Sequence, residues 1–157
     1  MNTEKNENIE KDIEEKYISK TLENIDTIEK ELIVIADKHC NFDKEHMEYN
    51  YQNTNYILYW IKKSNEFKKK ADMIDIKRKK KWTELHNFYK KEYSSSITCK
   101  EYLDCFIEAD PTYSNFLLSS KRTWDIKNFC DSVKKALEGK AFQIQNWMEY
   151  QKFLNGK

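Results

Sequence analysis

Glycine and proline are nearly missing: 157 residues hold 2 Gly and 1 Pro. Tight turns draw on glycine for positive φ and on proline at their corners. A sandwich, a barrel or a doubly wound sheet is therefore disfavoured. Gly139 and Gly156 stand alone, so neither GxxxxGK nor GxGxxG can be assembled, and a nucleotide-hydrolysing enzyme of the usual kinds is not expected. Long apolar runs are missing too. The longest, Leu32 to Ala36, falls far short of the roughly 20 residues that span a bilayer. The N-terminus is acidic and lacks the basic, apolar and small-residue order of a signal peptide. Cys40, Cys99, Cys105 and Cys130 show no framework spacing, which fits reduced cytosolic thiols.

What is present is aromatic and charged. Aromatics reach 14%, more than a disordered polar chain carries, so part of the chain packs. Charged residues make up 35%, which leaves little apolar surface for a thick core. Such a chain is expected to finish its core against other copies of itself.

The pattern is helical throughout, and the fold class is all-α. Ile18, Leu22, Ile25, Ile28, Leu32 and Ile35 recur at steps of three and four, one apolar face of a helix in an acidic segment. The stretch from Asp37 to Lys44 breaks that pattern, with Asn41 and Asp43 as caps for the next helix. From about Glu45 to Tyr93 nothing interrupts a helical composition. Met47, Tyr51, Leu58, Ile61, Met73, Ile76, Leu85 and Phe88 or Tyr89 form an imperfect stripe. One continuous helix there would be about 70 Å long, so it either bends back or is covered by other chains. Ser94 to Ser96 make a break before a short amphipathic helix, Cys99 to Ile107. Asp110-Pro111 is a helix start, an acceptor at the N-cap with proline at the first helical position. The helix it opens buries Tyr113, Phe116 or Leu117, Trp124, Phe129, Val133 and Leu137 before Gly139 interrupts or kinks it. A last amphipathic stretch comes after it, with Ala141, Ile144, Trp147, Met148 and Leu154. Residues 1–16 are expected to be a frayed extension. Residues 17–157 form one all-α domain, with the acidic and long basic helices in 17–93 and the C-terminal helices in 110–157.

Charge is concentrated rather than spread. Lys62 to Lys81 holds ten basic residues and three acids, a net of +7. On a helix Lys62, Lys69, Lys70, Lys77 and Lys81 fall within one broad face. Such a stripe neutralises phosphates and releases counterions without sequence preference. Tyr59, Trp60, Phe67, Trp82 and Tyr89 are interleaved with it, and unpaired bases stack on aromatic faces. A solvated lysine face, an acidic protein partner and an anionic membrane are the alternatives. The membrane is weakened by the lack of a clean apolar face opposite the charges. His39, Cys40 and His46 match no common zinc spacing, so no metal site is expected. No nucleophile, base and orienting group can be placed together, so no catalytic residue is assigned. The C-terminal aromatics Trp124, Phe129, Phe142, Trp147 and Phe153 read as core or oligomer seam.

The order of features resembles the UvsY recombination mediator family of T-even-like tailed phages. The likeness is closest from Ala109-Asp110 onward. It rests on Trp124 before Phe129-Cys130, Ala136-Leu137, Phe142 with Ile144, and Phe153 with Gly156-Lys157. Upstream, Asn55, Leu58-Tyr59, Lys68-Lys69, Met73 and Lys80-Lys81 fit the family's long basic helix. The resemblance implies a small all-α protein, cytoplasmic in the infected bacterium and assembled as a ring of six or seven subunits. It implies single-stranded-DNA binding, and loading of a RecA-like recombinase onto DNA coated by single-strand-binding protein, with no cofactor, no enzymatic activity and no membrane. Where the family carries an alternating Leu-Lys-Ala-Arg-Leu run, this chain reads Trp82-Thr83-Glu84-Leu85-His86-Asn87 and lacks those cations. The expected phosphate contacts are therefore Lys77, Arg78, Lys80 and Lys81, then Lys69 and Lys70, with Trp82 and Tyr89 as stacking candidates. Phe142, Ile144, Trp147, Met148 and Leu154 form the expected oligomer seam. The rival from another class is a non-catalytic coiled-coil adaptor pairing its acidic and basic helices with a protein partner.

Overall fold

The computed structural model describes residues 24–41, 52–92 and 100–156, which are helical apart from short connections. Four helices are present among them: α1 over 24–40, α2 Asn53–Glu92, α3 Lys100–Ala109 and α4 Pro111–Leu154. The segment 1–16, Ile18, Leu22, the Asp43 cap, His46, Met47, Tyr51, the Ser94 to Ser96 break and Cys99 lie outside the described residues. No described helix is long and apolar enough to cross a membrane.

Contacts divide the chain into two compact units that interleave in sequence. Among the described residues the first is built on the part of the chain from Lys69 to Trp124 with residues 24–26, the second on Thr27–Lys68 and the part from Asp125 onward. Both long helices thus lend one stretch to each unit.

In the second unit α1, the start of α2 and the end of α4 bury Leu32, Ala36, Trp60, Phe67, Cys130, Val133 and Leu137. The α2 and α4 stretches run antiparallel here. Asn53 Nδ2 donates to the Leu137 carbonyl (2.9 Å), and further along α2 Ser64 Oγ donates to Asp131 Oδ1 (2.7 Å), further back along α4. Trp60 meets Phe129 edge to face at 6.0 Å. Contrary to the expected break at Asp37, α1 continues through Cys40. Its end is closed from a distance: the buried Lys140 ammonium donates to the carbonyls of His39 (3.2 Å) and Asn41. Cations at a helix C-terminus satisfy orphan carbonyls and match the helix dipole.

In the first unit the end of α2 packs on α3 and the start of α4. Leu103, Ile107 and Tyr113 form a buried cluster against which Trp82, Leu85 and Tyr89 pack. The Asp110-Pro111 start is present as expected. Asp110 Oδ1 accepts from the Tyr113 amide (3.0 Å), and α4 begins at Pro111.

Two expectations need correction. The helix α4 runs unbroken through Gly139, whose backbone has no positive φ. A lone glycine costs a helix only about 1 kcal/mol, and buried Leu137 and Lys140 hold the turn on both sides. Of the apolar stripe assigned to α2, Leu85 and Tyr89 pack inward but the other described members do not. Leu58, Ile61, Met73, Ile76 and Phe88 are exposed, while Asn53, Trp60, Ser64, Phe67 and Ala71 are buried. Ser64 on that face is bonded to Asp131, and Asn53 through its Nδ2 to the Leu137 carbonyl, while Asn53 Oδ1 is buried without a partner.

Candidate nucleic-acid interface

The basic stretch of α2 that belongs to the first unit runs from Lys69 to Lys81. Its core side is set by Ala71 and by Ile74, Asp75, Arg78, Trp82 and Leu85, at steps of three or four. The side chains that remain outside include Lys69, Lys70, Lys77, Lys79 and Lys80, all exposed. This surface carries no acid except Asp72 until Glu84. Lys80 reaches Glu84 at 3.9 Å, with both side chains more than half exposed. A surface pair of that kind contributes little and leaves the cation available to a phosphate. Met73 and Ile76 lie exposed among the lysines, so the surface is a mixed one.

Lys81 and Arg78 sit differently from the others. The Lys81 side chain is only 15% exposed and approaches Glu84 at 4.0 Å. Arg78 turns to the core side: Nε donates to Asp75 Oδ1 and Nη1 to the Tyr113 hydroxyl, each at 3.1 Å. Asp75 is the hub of this arrangement. Its Oδ1 also accepts from Ser120 Oγ (2.8 Å), and its Oδ2 from Trp124 Nε1 (3.2 Å). Burial by itself pushes the Asp75 carboxyl upward, but the bonds from Ser120, Trp124 and Arg78 outweigh it and hold the group below its ordinary range. Burial likewise works against the Arg78 charge, and its bonds to Tyr113 and Asp75 overcome that.

The stacking candidates are half-buried and framed by protein. Trp82 lies on His86 with ring centres 4.8 Å apart and planes tilted 26°, and Tyr89 is tilted over Phe106 at 5.8 Å. Both rings also lean on the Leu103, Ile107 and Tyr113 cluster, so the structure places them in packing first. The expected seam residues divide. Phe142, Met148 and Leu154 are exposed, while Ile144 and Trp147 are half-buried. Asp75 and Tyr113 are not marked as site residues by the sequence. The i,i+3 spacing of Asp75 and Arg78 is visible there as an ion-pair signal, but nothing local points to Tyr113, which arrives from another helix. Among the described residues no group of three potential ligands is placed to hold a metal ion.

A family model described as "Recombination, repair and ssDNA binding protein UvsY" matches residues 34–157. No curated protein and no solved structure matches the chain.

Proposed function

The chain belongs to the UvsY family of recombination, repair and ssDNA-binding proteins, and from that premise we propose that it is a non-catalytic recombination mediator. It loads a RecA-like recombinase onto single-stranded DNA coated by single-strand-binding protein, in the cytoplasm of an infected bacterium. The observation that carries the DNA part is the exposed lysine surface of α2, with Lys69, Lys70, Lys77 and Lys80 outside the core. Lysine here supplies point charges for phosphate rather than base-edge forks, which suits binding without sequence preference. Lys81 and Arg78 flank that surface and complete the candidate phosphate contacts. Copies gathered through Phe142, Ile144, Trp147, Met148 and Leu154, in a ring of six or seven, bring several lysine surfaces to one strand.

The test is charge reversal. Lys69→Glu, Lys77→Glu and Lys80→Glu together should abolish binding of a fluorescent oligo-dT in low salt while far-ultraviolet dichroism keeps its helical signal. Wild-type affinity should fall steeply with salt as counterions are released. Binding that survives the triple reversal, or ignores salt, sinks the electrostatic account.

A further inference from the structure

Four residues of α2 and one of α4 line an open cavity of about 350 Å³ within the first unit: Arg78, Lys79, Trp82, Thr83 and Tyr113. That is the small end of the range for ligand sites. Its chemistry differs from that of the lysine surface. Arg78 is not a swinging cation but is clamped, with Nε on Asp75 and Nη1 on the Tyr113 hydroxyl. Asp75 is itself fixed from two further directions by Ser120 and Trp124. A guanidinium has five N–H donors, and two are used this way. The other three are unbonded among the described residues, on a side chain 25% exposed that lines the cavity. Lys79 adds an exposed ammonium at the rim, and Thr83 an exposed threonine. Trp82 and Tyr113 bring their rings to the same lining.

We propose that this cavity is a fixed seat for one phosphodiester of an unpaired DNA strand, held by the remaining N–H groups of Arg78 and by Lys79. The proposal rests on the strand-binding reading above and deepens it. The lysine surface supplies diffuse attraction, and the seat sets where the strand is registered on each subunit. A planar guanidinium already oriented by its own protein loses little freedom when its remaining N–H groups take a phosphate oxygen, which a lysine in the same place cannot match. The clamp also explains why a guanidinium stands on the core side of the helix at all. Its bonds to Asp75 and Tyr113 use two N–H groups and leave three for an anion.

The test compares Arg78→Lys, Thr83→Phe and wild type by oligo-dT anisotropy over a range of salt. Arg78→Lys keeps the formal charge, so its salt dependence should parallel wild type while affinity drops about tenfold. Thr83→Phe fills the cavity from an exposed position, leaves Arg78 and its partners in place, and should weaken binding several-fold with an unchanged melting temperature. A free mononucleotide offers the same oxyanion. Titration with dTMP at constant ionic strength should therefore compete only at millimolar levels. Wild-type affinity in both variants, with the lysine reversals still inactive, overturns the seat and leaves the strand reading standing. Absence of any oligonucleotide binding by wild type overturns both. Saturation by micromolar dTMP, with oligonucleotide affinity indifferent to Arg78→Lys, overturns the assignment to a strand.

Discussion

Trp60 has no exposed surface, and its one polar atom governs a neighbour. The indole Nε1 donates to His39 Nδ1 at 3.2 Å, which requires that nitrogen to be without a proton. Tyr56 stacks on the same imidazole at 3.8 Å and Tyr59 meets it edge-on. Burial first, then the charges of Lys38 and Lys140, hold the His39 pKa below its ordinary value of 6.5. A histidine whose pKa is depressed by folding contributes stability that is complete above the unfolded value. That stability is lost as pH falls through the folded value. The melting temperature should therefore decline on acidification below about pH 6.5, and His39→Gln, which keeps an acceptor, should remove that part of the decline. An identical pH profile for the two proteins would show that the imidazole is not the responsible group. Cys130 shows the same physics with the opposite sign. Burial, helped by Asp131, pushes its thiol up to about 11, and as a buried side chain it is shielded from reagents.

Among the elements, α4 has the clearest start. The Asp110 carboxylate accepts from the Tyr113 amide, and proline occupies the first helical position, where its missing N–H is harmless. Asp110→Ala should lower stability by about 1 kcal/mol, seen as a melting shift of a few degrees, whereas Asp110→Asn should lose far less. Equal losses for the two would show that the carboxylate charge rather than the cap geometry matters. This helix was legible because its signals are local: cap, proline, and an apolar series in which Tyr113, Phe116, Val133 and Leu137 are indeed buried. The face of α2 was not. Its inward positions include Asn53, Ser64, Asp75 and Arg78, polar residues that interrupt the apolar series Trp60, Phe67, Ala71, Trp82 and Leu85. They are tolerated inside because Leu137, Asp131, Ser120, Trp124 and Tyr113 bond them from α4. The end of α1 was misplaced for a related reason: the cation that closes it stands 101 residues away. Of the candidate site, the lysine cluster was readable from charge alone. That Arg78 faces inward depended on partners that only the tertiary structure supplies.

At the scale of the whole molecule, apolar surface remains on the last turns of α4. Phe142 is 64% exposed and Phe153 79%, with Met148, Tyr150 and Leu154 also exposed. Side chains of this size along one terminal stretch fit the seam proposed above, in which other copies cover them. Solution scattering or sedimentation should then give a multiple of the 19.1 kDa chain mass. Phe142→Glu with Met148→Glu should reduce it to one chain without loss of helix. A monomeric wild type would remove the assembly from the proposed mechanism, and with it the gathering of several lysine surfaces on one strand.

The interleaving of the two units governs how the protein can be made. Trp60 needs Phe129, Asn53 needs Leu137, and the end of α1 needs Lys140, so these contacts wait until residues 129 to 140 have emerged from the ribosome. Closure over such sequence distances slows folding. Premature termination before residue 125 would yield not half a working protein but a polypeptide with neither its buried tryptophan contact nor its distant ammonium clasp.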